Sequence, residues 1–135
     1  MDRSQVKEIV DREIEPLMKR LGIDHWKVMV SYDPERIDGD GQIKHGECTR
    51  LVDYNSAHIS LNPESFEDEQ GVLKTLRHEL FHVVLSPFDL YSSTVDRALD
   101  SPGPVREILD RVWTHSCEKA VLNLERMFVN MSYSD

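Results

Sequence analysis

The sequence predicts an α+β fold: one helix, a small and mainly antiparallel three-stranded sheet, then further helices. Three observations carry this expectation. Apolar residues recur at helical spacing near the start; short alternating runs rich in strand formers fill residues 25–61; helical spacing returns from residue 69 onward. The chain has 135 residues, the length of one domain, so residues 1–135 are expected to form a single unit.

The first helix is expected over residues 2–21, where Val6, Ile9, Val10, Ile14, Leu17, Met18 and Leu21 share one face. Asp2 is suited to cap its start and Gly22 to end it, and Pro16 predicts a bend inside it. Residues 25–32 alternate and read as a strand. Residues 33–41, with Pro34, Gly39 and Gly41, read as a polar turn region. Residues 46–54 and 57–61 read as two strands around a turn at Asn55-Ser56, and residues 62–65 close the sheet. A second helix is expected over 69–86, stopped by Pro87. Residues 89–99 carry weak helical spacing through Leu90, Val95 and Leu99. After the break at Ser101-Pro102-Gly103-Pro104, a last helix is expected from Pro104 to about Val129.

Composition narrows the function classes. At 39% hydrophobic and 30% charged residues the chain is globular rather than disordered. Its net charge is −9 and no cluster of Lys and Arg exists, which argues against nucleic-acid binding. No stretch approaches membrane-spanning length, so no membrane partner is expected. Two cysteines, Cys48 and Cys117, are not a disulfide framework and point to a reducing compartment. The opening residues read as an amphipathic helix rather than a signal peptide. The expected location is cytoplasmic.

One motif carries chemistry. Residues 78–82 read His-Glu-Leu-Phe-His. On a helix, positions four apart differ by about 40° around the axis and about 6 Å along it. His78 and His82 therefore project side by side, as two imidazoles must to hold one metal ion. Glu79 lies beside them, placed to act as general base on a water. A chance occurrence has no reason to fall inside a strongly periodic helix, as this one does. Leu73, Leu76, Leu80, Val83 and Val84 form the apolar face, and both histidines point away from it. Phe81 and Leu85 flank the histidines, so a second element is expected to cover that side.

The run from Leu73 to Leu85 resembles the active-site helix of zincin metallopeptidases, and residues 57–62 resemble the edge strand that borders the cleft in those proteins. The chain as a whole resembles the small gluzincin-like proteins of phages and bacteria, with HExxH on one helix and a glutamate on the next. The resemblance covers roughly residues 57–128, and only the HExxH segment is highly specific. Metzincins would continue with Gly at 85 and His at 88, where this chain has Leu85 and Phe88. Spartan-type proteases bring a third His soon after the motif, whereas no His follows His82 until His115. Those proteases also work at DNA, which an acidic chain suits poorly.

The resemblance implies zinc held by His78, His82 and a glutamate, with Glu79 catalytic. The last helix offers Glu118, Glu125 and His115. Glu118 is the choice, because it opens an apolar stretch through Leu124 as the gluzincin ligand glutamate does. Glu125 is the reserve ligand; His115 and a solvated surface role for Glu118 stay open. Tyr91 and His58 are further residues placed to border a cleft, with packing or solvent exposure as the plainer alternatives. The implied activity is hydrolysis of a protein or peptide laid along residues 57–61 by strand addition. Two alternatives stay open: a zinc-stabilised binding or structural protein with little activity, and a phage-type regulator that cuts one partner protein.

Overall fold

The computed structural model describes residues 1–33, 44–89 and 103–133, with the single positions 94 and 97. Most of the turn expected at 33–41, most of the segment expected at 89–99, and Tyr91 lie outside the described residues. The fold is α+β. Its elements are α1 (Arg3–Arg20), β1 (Lys27–Tyr32), β2 (Gly46–Leu51), β3 (Ser56–Leu61), α2 (Glu69–Val84) and α3 (Pro104–Tyr133). The chain divides into two compact units, Met1–Val84 and Leu85–Asp135.

Helix α1 begins at a reciprocal cap. The Gln5 N–H donates to Asp2 Oδ1 at 2.8 Å, and the Asp2 N–H donates to Gln5 Oε1 at 3.0 Å. Two otherwise orphaned N–H groups are thereby satisfied. The helix runs through Pro16 and ends at Gly22, whose φ of +73° lies in the left-handed region that glycine tolerates. There the Ile23 N–H donates to Met18 O at 3.0 Å and the Gly22 N–H to Lys19 O at 3.2 Å. This is the Schellman closure, which pairs the last carbonyls of the helix.

The sheet has the order β1-β3-β2, with β1 parallel and β2 antiparallel to β3. One pairing is thus antiparallel as expected, and the other makes the sheet mixed. The strand expected at the edge, 57–61, is instead the central one. Strand β2 stops at Leu51, short of the expected Tyr54, because Val52–Tyr54 winds into a 3-10 turn. Asn55 then turns the chain with φ 47° and ψ 45°, a conformation Asn adopts more readily than most residues.

The register sets two faces. Val28, Ala57 and Arg50 form one row, Val30, Ile59 and Cys48 the next, and Tyr32, Leu61 and Gly46 the third. On this inner face Ala57, Ile59 and Leu61 are buried, as are Val6 and Val10 of α1 and Val72, Leu76, Leu80 and Val83 of α2. Each fully buried Val, Leu or Ile among them contributes about 1.5–3 kcal/mol by leaving water. Helix α2 packs against both α1 and β2. Its start is capped by Asp68, whose Oδ1 accepts from the Gly71 N–H at 2.9 Å. It ends two residues before the expected Ser86, because the residue preceding Pro87 is pushed out of helical geometry. In the second unit α3 runs from Pro104 to Tyr133, past the expected end near Val129, with Val121 fully buried.

Candidate metal centre

The motif residues lie in the C-terminal half of α2, with His82 in its last turn. The rings of His78 and His82 stand edge to face, with centroids 5.1 Å apart and planes at 67°. Both are half-buried. Two imidazoles binding one tetrahedral ion, each with its nitrogen at about 2.0–2.1 Å, would hold their ring centroids about 5 Å apart. The observed separation of 5.1 Å is compatible with one shared metal ion.

Glu79 is only 6% exposed, which is unusual for a carboxylate. It lies on the side of α2 that faces β2. Thr75, one turn earlier on that side, is held so near Gly46 that a Cβ placed on the glycine would sit 3.0 Å from Thr75 Cγ2. The same Cβ would sit 3.0 Å from Leu61 Cδ2 and 3.2 Å from Ser60 O. Gly46 thus allows the end strand of the sheet to come against the helix that carries the motif. The strand bordering this face is β2 and not β3, whose main chain is paired along its length to both neighbours. Residues 57–61 are accordingly closed to strand addition by a substrate. Reading the sequence does not single out Gly46, although a glycine opening a strand is a sign of close backbone approach.

The other expected residues belong to other elements. His58 is exposed on the outer face of the sheet. Glu118, His115 and Glu125 belong to α3 in the second unit, with Glu118 and His115 exposed and Glu125 half-buried. His78, Glu79 and His82 are the three expected residues that one element brings together. Among the described residues no helix is long and apolar enough to cross a membrane.

Comparison with protein-family profiles finds no matching family, and comparisons with curated proteins and with solved structures find no match either.

Proposed function

We propose that the protein is a zinc-dependent peptidase in which His78 and His82 hold the metal, Glu118 completes the ligand set, and Glu79 is the general base. The observation that carries this is the His78–His82 pair, with ring centroids 5.1 Å apart and the buried carboxylate of Glu79 between them in sequence. Two neutral imidazoles and one carboxylate are the donor set of many hydrolytic zinc sites. Glu118 rests on the gluzincin resemblance and on its place at the head of an apolar stretch of α3.

Zinc, when bound, supplies a Lewis acid that lowers the pKa of a water toward about 7 and polarises a carbonyl. The chain's own part is to position and to move a proton. Glu79 takes the proton of the attacking water and delivers it to the leaving amine. The substrate, an extended protein or peptide, lies along β2, the strand at the end of the sheet beside α2. A cytoplasmic setting agrees with an acidic chain that has only two cysteines.

The burial of Glu79 favours a second reading, in which zinc stabilises a binding protein of little activity. One comparison separates the two. Purified wild type should contain about one zinc per chain and hydrolyse denatured protein. Glu79→Gln should keep the zinc and lose hydrolysis by about 10²-fold or more. Zinc retained in both with no hydrolysis by either would select the second reading. Zinc absent from wild type would end both.

A further inference from the structure

The main chain of β2 divides its polar groups between two directions. The Asn62 N–H donates to His45 O at 2.9 Å, which makes residues 45 and 62 a hydrogen-bonded antiparallel pair. Bonded and non-bonded pairs alternate along such a ladder. Glu47–Ser60, Thr49–His58 and Leu51–Ser56 are therefore the bonded pairs that follow in this register. Gly46, Cys48 and Arg50 fall between them, and their main-chain N–H and C=O groups point away from β3, toward the outer edge of the sheet. Among the described residues no strand pairs with this edge. The same three residues turn their side chains to the inner face, where α2 packs.

A side chain of β2 reaches that edge. Arg50 Nη1 donates to Cys48 O at 3.5 Å. This carbonyl belongs to the outward set, so the guanidinium lies against an acceptor that an added strand would use. A charged group placed on an edge strand opposes pairing with another chain. Cys48 also stands close in height to Glu79. A short connection joins the end of β3 to α2, and the helix then returns over the sheet to bury Leu80 and Val83. Since β2 is antiparallel to β3, α2 runs in the direction of β2. Gly46 is held against Thr75. Two residues along a strand advance about 6.6 Å and four along a helix about 6 Å, so Cys48 is about level with Glu79 and Arg50 with Val83.

We propose that Cys48 O is the main-chain acceptor that anchors the substrate strand beside Glu79, and that Arg50 competes with the substrate for it. This rests on the peptidase reading and on the placing of substrate along β2. It defines a substrate class. The segment that is cut must be extended, and the residue opposite Cys48 must carry an N–H. Proline, which has none, is excluded at that position. Arg50 is then a specificity-determining residue. A segment enters only if its main-chain bonds to Gly46, Cys48 and Arg50 outweigh the guanidinium bond that it displaces.

The test begins with the zinc-loaded wild-type chain and denatured casein, with the cut sites mapped by mass spectrometry. Proline should be absent from one position beside the cut. A cleaved sequence, made as a fluorescein-labelled peptide, is then bound to the zinc-loaded Glu79→Gln protein and followed by fluorescence anisotropy. Adding Arg50→Ala should tighten binding by about two- to tenfold, the range of one hydrogen bond. Arg50→Met keeps an apolar stem and should do the same, which separates the lost bond from lost packing. A scan of N-methyl groups along the peptide should find one position, beside the scissile bond, that weakens binding by about fivefold or more. At that position the gain from Arg50→Ala should vanish, because the two groups contend for one oxygen. The scan alters only the peptide, so it decides the matter even if the Arg50 variants do not fold. Arg50 variants that bind no tighter than Glu79→Gln alone would overturn the proposal, as would a scan without such a position. Either result leaves the peptidase reading standing. Absence of any cut by the wild type overturns that reading, and the proposal with it.

Discussion

Replacing Gly46 by alanine tests the packing that brings β2 against the motif helix. The new methyl group would meet Leu61 Cδ2 and Thr75 Cγ2 at 3.0 Å and the Ser60 carbonyl oxygen at 3.2 Å. Carbon atoms pack best about 3.5–4.0 Å apart, so both side-chain contacts are short by about 0.5 Å or more. Thr75 is β-branched and stiff at χ1, and Ser60 O is main chain of the central strand, so neither neighbour yields easily. Overpacking of this sort costs about 1–3 kcal/mol, offset by about 0.4–1 kcal/mol because alanine has less freedom than glycine in the unfolded chain. The net expectation is a loss of about 1–2 kcal/mol, or roughly 4–8 °C in Tm for a chain of this size. Urea unfolding of Gly46→Ala, Thr75→Ala and the double variant would measure it. Removing Thr75 Cγ2 should recover part of the loss, giving a coupling energy of about 0.5 kcal/mol or more. A Gly46→Ala protein as stable as wild type, or strictly additive variants, would refute this account of how β2 and α2 meet.

Other expectations follow from the site and the core. Zinc affinity should fall strongly in Glu118→Ala and stay near wild type in Glu125→Ala; the reverse order moves the ligand two turns along α3, and an effect of His115→Ala alone makes a three-histidine site. Chelation should lower Tm by mass action without unfolding the chain, since Val72, Leu76, Leu80 and Val83 remain buried; a melting curve unchanged after confirmed metal loss would contradict the site. Burial, and secondarily the charge of Asp11, push the Tyr32 phenol up to about 12, against a lesser opposing effect of Arg3, which lies 5.9 Å from the ring centroid. The unfolded chain then loses this proton first, so the stability it supplies is complete below pH 10 and is lost as pH rises to about 12. Tyr32→Phe should flatten that part of the stability profile, and an identical alkaline profile would count against it.

How much of this was legible in sequence depends on whether the signal is local. Helix α1 is written in a short span: Asp2 and Gln5 form the cap, the apolar residues give the face, and Gly22 gives the stop. The pairing of His78 with His82 is equally local, because helical geometry alone brings residues four apart together. Strand order is not local. Ala57-His58-Ile59-Ser60-Leu61 alternates as an edge or a central strand equally would, and only the pairing partners decide between them. The burial of Ser60 and Asn62 on the outer face has no sequence signature, since Ser and Asn are usually exposed. Val52 and Tyr54 are strand formers by propensity, and the left-handed Asn55 overrides them. Gly46 was readable in principle, but what it approaches is set by Thr75 and Leu61, far along the chain.

The position of β3 between its neighbours has a consequence for the route by which the chain folds. Its partner β2 precedes it across a tight turn, so that hairpin closes a short loop. Its partner β1 is reached only by joining position 27 to position 56, a closure with a larger entropic cost. The hairpin is therefore the natural nucleus, and β1 docks onto a preformed strand. Mutations along β2 and β3 should slow folding, whereas those in β1, such as Val30→Ala, should chiefly speed unfolding. Amide exchange should follow the same order, slowest in β3, whose main chain is bonded on both sides, and faster in β1 and β2.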